Sequence, residues 1–79
     1  MDLVLMRSLL AVAEHGAITD AAAALGISQS ALSRRMDQLE EALGAPLLER
    51  VGRGIALTAI GQLALEEGKI SHEPLTSNV

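Results

Sequence analysis

The chain has 79 residues, room for one domain, and a domain of this size buries only about 60% of the surface its unfolded form exposes. It has no cysteine, which excludes disulfides and thiolate metal sites and fits a reducing compartment, and its 49% apolar content is mostly Leu and Ala with no Phe, Tyr or Trp. Six basic residues against ten acidic ones leave a formal charge of −4, the opposite of the usual nucleic-acid footprint, and only the imidazoles of His15 and His72 could stack on an unpaired base, which argues against single-strand recognition.

Leu3, Met6, Leu10 and Ala13 recur at steps of three and four, predicting a first helix from about Asp2 to Glu14 that packs on this stripe and stops at Gly16. The LVLM start follows an acidic Asp2 without a basic leader, and no apolar run reaches the roughly 18 residues of a membrane span. A soluble, cytoplasmic protein with no membrane partner is expected. Thr19 is placed as the cap of a short second helix, Asp20 to Leu25, with Ala21, Ala22 and Leu25 turned inward. Gly26 ends it and Ile27 plugs the core.

Ser28 then opens a helix that runs to Leu43, bounded by Gly44 and Pro46. At about 100° per residue, Leu32, Met36, Leu39 and Leu43 form one stripe, while Ser30, Ser33, Arg34, Asp37 and Glu41 fall opposite. Near the amino end Gln29, Ser30, Ser33 and Arg34 can donate or accept at a base edge or a phosphate, although a merely solvated helix also shows a polar face. Two short helices joined by a three-residue turn containing Gly make a helix-turn-helix, with an ordinary helical hairpin as the plainer alternative.

Two short apolar segments around Gly52-Arg53-Gly54 predict a hairpin with Arg53 at its tip, able to reach a phosphate or a narrow minor groove. Thr58 is expected to cap a fourth helix from Ala59, with Ile60, Leu63 and Ala64 facing the domain and fraying near Gly68; Pro74 predicts a loose tail. The predicted class is mainly α, a winged helix-turn-helix with a short β-hairpin wing, over residues 1 to 65, followed by the end of helix 4 and a flexible tail over 66 to 79. Arg34, Arg35, Arg50 and Arg53 lie between the third helix and the wing, whereas Glu66, Glu67 and Glu73 lie near the far end, so the surface is expected to be polarised despite the net charge.

The order helix, helix-turn-helix, wing, helix resembles the amino-terminal DNA-binding domain of LysR-type bacterial transcriptional regulators. The likeness runs from about Leu3 to Leu65, through Val12-Ala13-Glu14, Gly16, Thr19, Ala21-Ala22, Leu25, Ser28-Gln29, Ala31-Leu32-Ser33, Leu39-Glu40, Leu43-Gly44, Leu47-Leu48, Arg50, Arg53, Leu57-Thr58 and Gly61. Departures are Ser30 where the family usually has Pro, Leu48 where Phe is common, and Ile60 where a small residue is usual. The resemblance implies double-stranded promoter or operator DNA as partner, with the third helix in the major groove and the wing at the adjacent backbone or minor groove. It implies base or backbone contacts for Gln29, Ser33 and Arg34, and phosphate contacts for Thr19, Arg50 and Arg53. Ser28 and Ser30 complete the candidate DNA-binding set, with no cofactor, no metal and no catalytic residue.

Regulators of this kind continue helix 4 into a dimerising linker and an effector-binding domain, neither of which is recognised in these residues. A short pairing surface then predicts a weak homodimer that aligns on palindromic DNA. Scattered carboxylates and two isolated histidines offer no recognisable catalytic cluster. A winged helix that docks on a protein and does not bind DNA is the competing reading, kept open by the acidic balance.

Overall fold

Residues 3 to 72 are described by the structure, a computed structural model, and they form α1 (Leu3–His15), α2 (Ile18–Leu25), α3 (Gln29–Leu43), β1 (Leu48–Val51), β2 (Gly54–Leu57) and α4 (Ala59–His72). These elements make up the predicted class, three helices with a helix-turn-helix at α2 and α3, an antiparallel two-stranded wing, and a fourth helix. The expected helix start at Asp2 and the tail residues 73 to 79 lie outside the described residues.

The core brings together Met6, Leu9 and Val12 of α1, Ala21 and Ala22 of α2, and Leu32, Met36 and Leu39 of α3, closed by Leu47 and Ala64. In α1 this is not the predicted stripe: Leu3 is 45% exposed, Ala13 is exposed and Leu10 is half-buried. The helix is apolar on most of its circumference, so its periodicity does not single out a face. Packing against α2 and α3 selects the stripe one position back from Leu10 and Ala13, a rotation of about 100°.

The α2 start also differs from expectation. The helix begins at Ile18 from an extended Ala17 that makes no side-chain cap, so Thr19 lies inside the first turn and does not cap it. Ile18 packs on the core, and this burial draws the chain into helix before Thr19 is reached. At the other end Gly26 takes φ +72, a conformation that costs any residue with a Cβ. Gly26 N donates to Ala23 O at 3.1 Å and Ile27 N to Ala22 O at 3.0 Å, a Schellman stop whose following residue, Ile27, packs on the core as expected. Ser28 then caps α3, its Oγ accepting from Ala31 N at 3.1 Å.

Between α3 and the wing the chain is clamped from both sides. Leu47 N donates to Glu40 Oε2 at 2.9 Å, Thr58 N donates to Leu47 O at 2.9 Å, and Thr58 Oγ1 donates to Pro46 O at 2.8 Å. Thr58 Oγ1 also accepts from Gly61 N at 3.0 Å, the predicted cap of α4. Gly61 lies so close under the Leu47 carbonyl that a Cβ would collide with it. This approach turns the small-residue side of α4 inward, burying Gly61 and Ala64 and seating Leu65 on the core. Ile60 and Leu63, expected to face the domain, are therefore 46% and 58% exposed. The helix also continues through Gly68, where fraying was expected, to His72.

Candidate nucleic-acid interface

The outward side of α3 carries Ser30, Arg34, Asp37 and Glu41, all exposed and opposite buried Leu32, Met36 and Leu39, with Gln29 and Ser33 exposed beside them. Leu43, the last member of the predicted stripe, is 38% exposed at the helix end. The face changes character along its length. Its first turns hold hydroxyls, an amide and a guanidinium, and its last turns hold Asp37 and Glu41, which would repel a phosphate backbone. Only the amino half suits close approach to an anionic polymer.

Two hydrogen bonds organise that half. Gln29 Nε2 donates to Thr19 Oγ1 at 3.0 Å, joining α3 to α2 across the turn, and the hydroxyls of Ser28 and Ser30 lie 3.3 Å apart. The first link had no signal in the linear pattern, because Thr19 and Gln29 meet only through the Gly26 turn. The adjacent arginines also part company. Arg34 is exposed, whereas Arg35 is half-buried and its Nη1 donates to Ser8 Oγ at 3.1 Å. Ser8, fully buried, passes its own hydrogen to Val4 O at 2.9 Å. The hydroxyl of Ser8 inside the apolar run of α1 is the signal the sequence offers, although its own helix takes its hydrogen at Val4 O.

The wing pairs Leu48 with Leu57, Glu49 with Ala56, Arg50 with Ile55 and Val51 with Gly54, leaving Gly52 and Arg53 as a two-residue loop. Side chains alternate along a strand, so Arg50 lies on the Leu48 face and Glu49 on the other, where its carboxylate does not neutralise Arg50. Ile55 N donates to Gly16 O at 2.9 Å, which ties the wing to the turn between α1 and α2. Among the described residues, Arg34, Arg50 and Arg53 are exposed and engage no hydrogen bond or ion pair, leaving their charge available. Thr19, Ser28, Gln29, Ser30 and Ser33 are exposed as well.

Among the described residues no group of three or more His, Asp or Glu side chains could hold a metal ion, and no helix is long and apolar enough to cross a membrane. A helix-turn-helix presenting the polar amino half of its second helix, with an arginine-tipped hairpin tied to the turn before it, defines a winged helix-turn-helix domain.

Residues 3–62 match the family described as bacterial regulatory helix-turn-helix protein, lysR family. The chain is 47% identical over 68 residues to the SDS degradation transcriptional activation protein of Pseudomonas sp., covering 86% of this chain and 22% of that protein. It is 45% identical over 67 residues to the transcriptional regulator BudR of Klebsiella aerogenes, covering 85% of this chain and 47% of that one. Among solved structures it is similar to a complex of the CbnR DNA-binding domain with DNA, with TM-score 0.84 and 40% identity over 99% of this chain and 90% of that one. A complex of the BenM DNA-binding domain with benA site 1 DNA gives TM-score 0.83 and 35% identity over 98% of this chain and 86% of that one. The chain belongs to the lysR family of bacterial regulatory helix-turn-helix proteins. It spans 22% to 47% of the length of the two curated relatives.

Proposed function

We propose that this chain binds double-stranded promoter or operator DNA in transcriptional regulation, with the amino half of α3 in the major groove and the wing on the adjacent backbone or minor groove. The observation that carries this reading is the exposed set Gln29, Ser30, Ser33 and Arg34 on one end of α3, together with exposed Arg53 at the tip of a wing that the bond from Ile55 to Gly16 ties to the turn before α2. Gln29, Ser33 and Arg34 are assigned to base edges or the backbone near them, and Thr19, Ser28, Ser30, Arg50 and Arg53 to phosphates and sugars. The names of the CbnR and BenM complexes, in which domains of this shape are bound to DNA, support the reading. The role is binding, not catalysis, and its place is the bacterial cytoplasm where promoters lie.

Two copies would align on a palindromic site with half-sites about one helical turn apart. The test is a mobility-shift assay of the 79-residue chain with bulk duplex at low salt, followed by selection of bound duplexes from a randomised pool. Retarded duplex that is released as salt rises supports the reading. No retardation even at low salt would overturn it in favour of a protein-docking winged helix, which the net charge of −4 suits.

A further inference from the structure

Gln29 opens α3 and Thr19 sits in the first turn of α2, and the bond from Gln29 Nε2 to Thr19 Oγ1, 3.0 Å long, is exposed. Water competes for such a bond, so it adds little to stability. What it sets is direction. A primary amide reads adenine through its carbonyl oxygen and one N–H, the oxygen accepting from N6 and the N–H donating to N7. The second N–H has no part in that pair. Thr19 takes one hydrogen of this nitrogen, and Oε1 and the other N–H of Gln29 have no partner among the described residues; with Thr19 holding the hydrogen on the far side from Oε1, these are the two groups an adenine edge requires.

The hydroxyl completes the logic. While it accepts from the amide its own hydrogen is free, and a phosphate oxygen can only accept. Once Thr19 donates to a phosphate it has no hydrogen for Gln29, so the amide can meet it only nitrogen first and the reversed amide is shut out. We infer that Thr19 is a positioning residue that makes base choice at Gln29 depend on a phosphate contact, so that engagement of the backbone orients the amide for adenine. This rests on the DNA-binding reading above.

The test uses the full chain with Thr19→Val, which keeps the shape and removes the hydroxyl, Thr19→Ser, which keeps the hydroxyl, Gln29→Ala, and Thr19→Val combined with Gln29→Ala. Duplexes selected by the unmodified chain are changed one base pair at a time, and the ratio of affinities for A·T and G·C is read at the position where Gln29→Ala loses its preference. Thr19→Val should lower that ratio about fivefold, as expected for one lost hydrogen bond. Ratios at other positions should hold, Thr19→Ser should retain the preference, and Thr19→Val should add nothing to Gln29→Ala. An equal loss on every duplex with the ratio intact would overturn the inference and leave Thr19 a phosphate contact alone. A Gln29-dependent position that prefers a base other than adenine, or no such position, would also overturn it. If the unmodified chain retards no duplex, the DNA-binding reading itself fails, and this inference with it. Thr19 is exposed, and an unchanged helical circular dichroism signal checks that the valine variant is folded.

Discussion

Between Arg34 and Arg35 the helix turns by about 100°, and that rotation separates a guanidinium in solvent from one that donates to buried Ser8 at 3.1 Å. Their replacements should divide accordingly. Arg34→Ala should leave stability unchanged and weaken binding to the preferred site by about 1–3 kcal/mol if the contact is bidentate to guanine. Competition titrations against random duplex check it, since an equal loss on both would make Arg34 a phosphate clamp. Arg35→Ala should instead lower stability by about 1 kcal/mol, read as a shifted urea midpoint, because Ser8 can still donate to Val4 O but loses the donor it accepted from. Arg53, on a solvent-exposed tip, should act through charge: Arg53→Ala should weaken binding to all duplexes alike and lower the salt slope by about one unit. An unchanged slope would make it a solvated loop residue. Read along the chain, periodicity already places Arg34 opposite the buried stripe of α3, but it does not say what Arg35 meets. Only the rotation of α1, which points Ser8 at α3, gives Arg35 its partner.

At the scale of the elements, what the sequence showed well was most of what is decided within three or four residues, the start of α2 at Ile18 being the exception. Ser28 and Thr58 cap α3 and α4 as expected because a cap is a bond between a hydroxyl and an amide three positions away. The face that a helix buries is decided elsewhere, and in α1 and α4, where apolar residues lie on several sides, periodicity chose the wrong stripe. For α4 the deciding contact is Gly61 under the Leu47 carbonyl. Gly61→Ala would ordinarily favour the helix by up to about 1 kcal/mol. Here the Cβ meets a carbonyl that already accepts from Thr58 N at 2.9 Å, in a residue whose own N–H is held by Glu40, so the segment has little freedom to withdraw. The expected net effect is a loss of about 1–3 kcal/mol, or about 4–8 °C in Tm for each kcal/mol in a domain of this size. Calorimetry tests it: an unchanged or raised Tm would mean that the segment leading into the wing gives way.

For the whole molecule, the placement of charge and apolar surface matters more than their totals. The net charge of −4 conceals an amino half of α3 and a wing that offer Arg34, Arg50 and Arg53, while Glu66 and Glu67 are exposed on α4. The same helix turns Ile60 and Leu63 to solvent at 46% and 58% exposure, an apolar strip facing away from the core. That strip is the natural place for two copies to meet, and it is short, because Glu66 and Glu67 follow within one turn. A stable interface generally buries about 1,000 Å² in total, more than one turn of apolar surface from each copy supplies. A pair also brings together two copies of the same net charge, −4 each, so charge opposes it. Self-association should therefore be weak, with Kd above about 1 μM, and should tighten as salt screens that charge. Binding to DNA should loosen over the same salt range, because each phosphate contact releases counterions. Sedimentation equilibrium across the micromolar range at low and moderate salt, beside duplex titrations in the same buffers, measures both trends. A dimer that persists below about 1 μM, a free energy of about −8 kcal/mol, or one that dissociates as salt rises, would show that the copies are held by ionic contacts or by a larger surface than the Ile60 and Leu63 strip.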